Sequence, residues 1–224
     1  MPRVMTYNIL MGGRRGAPLH EAVRRAEADV VLVNETPKYP LLWRWRCPRL
    51  ARRWGMRFVA GGRPAGSNMI VVARGASVTS TREEVLPTGW FEPRRGIALA
   101  RLLLDGASLT VVTCHLSLHR PTRLREVARI VELCSTVRGP VVLAGDLNEE
   151  PGGPCWRRLA EAGFVDHGGS HWMTFPAQQP KARIDALLVR GEATVRHHGD
   201  PGVPEALLAR ASDHRPVLAD LGLP

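Results

Sequence analysis

Apolar and polar positions along this chain fall into short blocks with the strand period, separated by stretches with the helical period. Blocks 4–10 and 30–35 are apolar and β-branched, and read as strands flanking a helix over 18–28, whose Pro18 suits a first turn. Residues 41–54, rich in Trp, Arg and Leu, predict a helix with a break near Pro48, its arginines forming the solvated side. Shorter strands are expected at 58–60, 69–73 and 78–85. Blocks 97–104 and 109–116 read as a hairpin across Asp105-Gly106. Over 121–137 the period lengthens, with Leu124, Val127, Ile130, Val131 and Cys134 on one face. A strand at 141–147, a short helix at 154–162 and strands at 184–189 and 216–221 complete the pattern. No repeat, linker or low-complexity segment interrupts it, so a single domain over 1–224 is expected. Strands in hairpins with helices between them predict an α/β fold of helix-covered sheets.

Several predicted strands end in polar residues. Asn8 lies in "TYNIL", Asn34 and Glu35 close "VVLVNET", and His115 closes "VVTCHLS". Asp146 and Asn148 close "VVLAGDLN", Asp185 opens "RIDALLV", and Asp213-His214 precede the last strand in "SDHRPV". On a strand, positions i and i+2 share a face, so Asp146 and Asn148 either cap a turn or act as a ligand pair. A carboxylate at the end of a buried strand costs several kcal/mol unless it is paired or bound to a metal. Six such ends point to one site built from the ends of several strands on a rigid scaffold. Carboxylates and amides without paired cysteines suit a hard ion such as Mg²⁺ or Mn²⁺. Two histidines add acid/base capacity near neutral pH. There is no nucleophile elbow and no phosphate-binding Gly-Lys-Ser/Thr loop, so metal-assisted attack of water on a phosphate ester fits best.

The composition, 44% hydrophobic and 23% charged, is that of a globular protein large enough to bury a core. The N-terminus lacks a signal peptide's apolar region and no stretch reads as a membrane span, so a cytoplasmic monomer is expected. Cys47, Cys114, Cys134 and Cys155 are far apart and read as free, mostly buried thiols. The net charge of +10 permits a polyanionic partner such as DNA or RNA. It is weak support, because all the basic residues except Lys38 and Lys181 are arginine, a bias that genome composition alone can produce.

The ordered set "TYNI", "NE", "HL", "GDLN", "RID" and "SDH" resembles the endonuclease/exonuclease/phosphatase superfamily, from Asn8 to His214. That resemblance implies a four-layer sandwich of two mixed β-sheets flanked by helices, with the site at one end of the sheets. It implies that Glu35 is the main metal ligand with Asn8 beside it, and that Asp213 completes the metal site. Asp146 would hold the attacking water or a second ion, and Asn148 would position that water or the phosphate. His214 would be general base or cationic clamp, oriented by Asp185, and His115 would contact the phosphate. The family's usual Gln before the metal-binding Glu is here Asn34, a shorter amide. Where deoxyribonucleases support the first histidine with a carboxylate, this chain offers only Ser67 and Asn68, and the loops that grip DNA in larger members look trimmed.

Weaker candidates for substrate contact are Asn68, Arg95, Trp172 and His119. Asn68 suits a strand start equally well. Arg94 and Arg95, with Trp90, could form a phosphate-facing rim, or remain a solvated pair. Trp172 and Phe175 suit either ring stacking or core packing. His197-His198 read as a surface loop. Three readings follow. The first is a Mg²⁺- or Mn²⁺-dependent phosphodiesterase acting on nucleic acid, with one or two ions. The second is a phosphatase or phosphodiesterase for a small molecule or phospholipid headgroup. The third, a non-catalytic binding domain, is opposed by the complete set of ligand and acid/base residues.

Overall fold

The structure, a computed structural model, describes all residues except 13–15, 38–40, 90 and 170. The chain runs through β1 (Arg3–Asn8), α1 (Gly16–Arg25), β2 (Val30–Asn34), α2 (Trp43–Arg53), β3 (Arg57–Gly62) and β4 (Asn68–Val72). It continues with β5 (Ser77–Val85), β6 (Gly96–Leu104), β7 (Ala107–His115), α3 (Arg120–Ser135) and β8 (Val141–Asp146). Then follow α4 (Pro154–Glu161), β9 (Val165–Asp166), β10 (Asp185–Arg190), β11 (Thr194–Gly199), α5 (Glu205–Ala211) and β12 (Val217–Gly222). One sheet has the order β11-β12-β1-β2-β4-β3 and the other β5-β6-β7-β8-β10-β9. Both are mixed: β1 and β2 are parallel across α1, and β7 and β8 are parallel across α3. A parallel pair needs a crossover of this kind, which is why a helix separates each pair in sequence.

The period of two along each strand builds the four layers. In β2, Val30 and Leu32 enter the core between the sheets, while Val31 and Val33 pack with α1, α2 and α5 outside. In β8, Val142 and Ala144 face inward, while Val141 and Leu143 join the outer core under α3 and α4. Each fully buried Val, Leu or Ile contributes about 1.5–3 kcal/mol. The two mixed sheets with helices on both outer faces are the four-layer α/β sandwich that the sequence predicts.

Some local expectations change. α2 runs unbroken through Pro48, at the cost of one intrahelical hydrogen bond. His197 and His198 lie on the edge strand β11, not in a loop, because they pair with Asp220 and Ala219 of β12. Trp90, one of the rim residues considered above, lies outside the described residues. The four cysteines are buried and free, as expected. No helix among the described residues is long and apolar enough to cross a membrane.

Candidate active site

The same alternation that fills the inter-sheet core also aims the polar strand ends. Asn8 follows Val4 at even spacing, Asn34 follows Leu32, His115 follows Val111, and Asp146 follows Ala144, so all four face the gap between the sheets. Register completes the row: Asn8 stands beside Asn34, and His115 beside Asp146, which pairs with Asp185 on its other side. The site is the polar end of the inter-sheet core, at the carboxyl ends of the parallel strands.

Five predicted residues meet here, all buried: Asn8, His115, Asp146, Asp185 and His214. His214 Nδ1 and Asp185 Oδ2 are 2.8 Å apart, and Thr174 Oγ1 holds the Asp185 backbone N–H at 3.2 Å. His214 Nε2 faces Asp146 Oδ2 at 3.8 Å and Asn8 Nδ2 at 3.5 Å. Asn8 Nδ2 donates to Asp146 Oδ2 at 3.1 Å, and His115 Nε2 lies 3.4 Å from the same oxygen. His115 Nδ1 is 3.9 Å from Glu35 Oε1, so two carboxylates flank His115. Asn148, at φ 49°, donates its N–H to Asp146 Oδ1 at 2.9 Å and its amide to the Leu116 carbonyl at 2.7 Å. Glu35, at φ 55°, turns out of β2 in the left-handed region, a conformation that costs roughly 1–2 kcal/mol for a non-glycine residue. Gly145 sits at φ 149°, where a Cβ would lie 1.9 Å from the Cys114 carbonyl oxygen, so only glycine lets β8 approach β7 beside Asp146.

Electrostatics couples these groups. Burial raises the Asp146 carboxyl, Asp185 raises it further, and His214 and the bonds from Asn148 and Asn8 oppose the rise. Burial would lower the His214 imidazole, but Asp185, by charge and hydrogen bond, with Asp146 and Asp213, raises it to about 9. A carboxyl and an imidazole that both hold protons more tightly than usual, 3.8 Å apart, titrate as one unit.

Three residues outside the predicted catalytic and metal set support this group. Asn34 bolts the sheets together: its amide nitrogen donates to Asn68 Oδ1 at 2.8 Å, Thr113 Oγ1 at 3.2 Å and the Cys114 carbonyl at 2.8 Å. Its Oδ1 accepts the Asp146 N–H at 3.0 Å. Ser212 Oγ donates to the Asn8 carbonyl at 2.7 Å, tying "SDH" to β1. The Phe175 ring packs on His214 with centroids 4.8 Å apart. Asn34 is legible as a polar strand end and Phe175 as a ring near the cleft, whereas Ser212 is signalled only by nearness to a motif residue.

The predicted metal set is only partly assembled. Among the described residues, Asp146, Asp185 and His214 offer ligand atoms within 4.8 Å of one another, a set that shares only Asp146 with Glu35, Asn8, Asp213 and Asp146. The Asp185–His214 bond already uses the facing atoms of that set, so it reads better as an oriented imidazole. Asp213 is half-buried beside His214, its Oδ1 accepting from Ser212 at 3.3 Å. The chemistry of the remaining predicted ligands, carboxylates of Glu35 and Asp213 and the amide of Asn8, suits a hard divalent ion.

Of the substrate candidates, Arg95 lies within electrostatic reach of Asp146 and Glu35. It is buried, its Nε has no partner among the described residues, and Asp146, Glu126, Glu35 and Glu92 offset the lowering of its pKa by burial. Asn68 lies behind the site with its amide used by Ala65, Gly96 and Asn34. Trp172 packs on both the inter-sheet core and the adjacent outer core and donates to the Pro216 carbonyl. His119 caps α3 and lies 3.3 Å from Glu92, outside the cluster.

The sequence profile of the Endonuclease/Exonuclease/phosphatase family matches residues 5–214. The chain belongs to this family. Members of the family are phosphoesterase hydrolases. No curated protein matches the chain by sequence. Among solved structures it is similar to an endonuclease/exonuclease/phosphatase from Bacteroides vulgatus, at TM-score 0.80 and 17% identity over 100% of this chain and 99% of that one. It is also similar to the mannosyl-6-phosphatase Bt3783 of Bacteroides thetaiotaomicron, at 0.79 and 16% over 100% of both chains. A third likeness is to D. rerio TDP2 complexed with a single-strand DNA product, at 0.69 and 14% over 99% of this chain and 98% of that one. At these identities the likeness shows the fold.

Proposed function

We propose that this protein is a divalent-metal-dependent phosphodiesterase that hydrolyses nucleic acid by attack of water on phosphorus. The observation that carries the reading is the Asp185–His214–Asp146 group, an oriented imidazole facing a buried carboxylate whose Oδ2 also meets Asn8 and His115. Asp146 and His214 together take the proton as water attacks, and Asn8 and Asn148 fix the Asp146 carboxylate. Asp185 holds the imidazole so that Nε2 points at the reacting end. His115 and Arg95 stabilise charge on the phosphate oxygens as the bond to the leaving oxygen breaks, and the proton taken from water passes from the Asp146–His214 pair, directly or through solvent, to that oxygen. Glu35, with Asn8, Asp146 and Asp213, would hold the Mg²⁺ or Mn²⁺, which would polarise the phosphate.

The basic surface and the buried Arg95 support a diester of nucleic acid as substrate. A second reading, a sugar-phosphate monoesterase, is favoured by the end-to-end similarity to the mannosyl-6-phosphatase. The deciding assay offers plasmid DNA, an oligonucleotide, bis-p-nitrophenyl phosphate and a hexose phosphate, each with Mg²⁺, Mn²⁺ or EDTA. Cleavage of the nucleic acids that needs the ion and falls about 10²- to 10⁴-fold in Asp146→Asn and His214→Gln is expected. Turnover of the monoester alone would replace the nuclease reading with the second. Equal rates in EDTA would end both.

A further inference from the structure

A second cavity opens beside the catalytic end of the sheets. Its rim includes Gly12, four residues beyond Asn8, and Pro37, two beyond Glu35. The bonds Ile9 N–H to Asn34 O and Met11 N–H to Glu35 O, at 3.0 and 2.7 Å, hold these two loops together. The cavity has a volume of about 470 Å³ and lies between α1 and α2, and none of the residues around Asp146 lines it.

Its lining is basic and aromatic. Arg46, Arg49 and Arg53 recur at i, i+3 and i+7 on α2, so they share one face, and all three border the cavity. These arginines are exposed, as a solvated face requires, and the face also borders this cavity. Among the described residues no ion pair holds Arg49 or Arg53. His20, on the opposite wall, accepts the Trp54 indole N–H on Nδ1 at 3.0 Å, which puts the proton of the neutral ring on Nε2. Burial, Arg53 and Arg24 all lower this imidazole, which favours the neutral form. Its Nε2–H then meets Arg53 Nη1 at 3.3 Å, so two donors face each other with no acceptor between them among the described residues. An anionic oxygen would satisfy both. Trp45, 79% exposed, borders the same cavity, where an exposed indole is well placed to take a flat ring.

We propose that this cavity is a subsite for a nucleotide unit of the substrate strand outside the scissile phosphate. Its phosphate accepts from Arg49, Arg53 and His20, and its base stacks on Trp45. The inference rests on the nucleic-acid reading of the catalytic site. It adds where the strand goes: past Asn8 and Glu35 toward the gap between α1 and α2. A rim of scattered arginines would grip a backbone anywhere along its length, whereas this arrangement holds one phosphate and one base together.

The test measures binding of a thymidine dinucleotide and of an oligothymidylate of about ten nucleotides, a length within single-strand site sizes. Binding is followed by intrinsic fluorescence in the Asp146→Asn protein, and KM in the active one. Arg49→Ala/Arg53→Ala is expected to bind the longer strand at least tenfold more weakly. Its salt slope should fall by about 1.4, two single-strand phosphate contacts at about 0.7 each. Trp45→Ala should lose about 5- to 150-fold. The dinucleotide, too short to span both sites, should be affected far less. Arg44→Ala/Arg52→Ala, off the cavity, removes the same charge and should bind as wild type. Thermal midpoints confirm that each variant is folded.

Equal weakening by the Arg44/Arg52 pair, or unchanged affinity in both cavity variants, overturns the subsite. If the active protein cleaves oligonucleotides while the cavity variants bind them normally, the subsite alone fails. If it cleaves none but the cavity variants still lose binding, the subsite stands and the catalytic reading fails.

Discussion

Asn34 offers the sharpest test of how the two sheets are held at their catalytic end. It is fully buried and makes four hydrogen bonds, to Asn68, Thr113 and Cys114 through its nitrogen and from the Asp146 N–H to its oxygen. Asn34→Ala removes all four and leaves the Asp146 N–H and Asn68 Oδ1 inside a dry interface without these partners. At about 1 kcal/mol net per bond, and more for each buried group left bare, the loss should be about 3–5 kcal/mol. That is a large share of a stability of roughly 5–15 kcal/mol. For a chain of this size it corresponds to a fall in Tm of about 6–20 °C.

The companion variant is Asn34→Gln, which lengthens the amide by one methylene. Here the extra methylene must enter a slot already closed by β4, β7 and β8, so it should cost about 1–3 kcal/mol by overpacking instead of rescuing the site. Urea unfolding with an unchanged slope measures both, and kcat on bis-p-nitrophenyl phosphate reads the displacement of Asp146. A loss below about 1 kcal/mol in Asn34→Ala, or a Gln variant as stable and active as wild type, would refute the cross-sheet bolt.

Four further outcomes are expected. Arg95→Met should keep or gain stability while kcat/KM falls about 10- to 150-fold, because a buried guanidinium with a bare Nε serves the phosphate more than the fold; melting curves with steady-state kinetics check it. Asp185→Asn should return the His214 imidazole toward its ordinary value, shift the pH profile and lower kcat by roughly 10²-fold, read by rate–pH curves. His214 has a raised folded pKa, so its stabilising contribution is complete below 6.5 and is lost as pH rises through about 9; the wild-type advantage over His214→Gln in urea should shrink across that window. Gly145→Ala, strained at φ 149° and against the Cys114 carbonyl, should cost more than about 1 kcal/mol in the same assay.

The sequence announced the parts whose chemistry conflicts with their surroundings. A buried strand closing on Asp146 or His115 demands an explanation, and the period of two gives one by sending Asn8, Asn34, His115 and Asp146 to the same face. What stayed hidden were features without such a conflict. β11 carries one aliphatic residue, Val195, among polar neighbours, so His197 and His198 show no strand period even though β12 pairs with them. α5 has seven residues, too few for a convincing helical period. The arginines of α2 read as a solvated face because nothing in their spacing tells that His20 of α1 stands opposite.

The two kinds of residue also divide the work. Asp146, Asp185 and His214 sit on or beside strands whose inner faces are packed solid, and that dry environment raises the Asp146 carboxyl toward the neutral range, where it can exchange a proton. Moving any of them means repacking the inter-sheet core, so reaction chemistry is tied to the fold. Past the buried Ile9 and Thr36, Gly12 and Pro37 of the loops after Asn8 and Glu35 border the cavity between α1 and α2. Under the subsite proposed above, substrate choice turns on what α2 and His20 present: Arg49, Arg53, a histidine proton and an exposed indole.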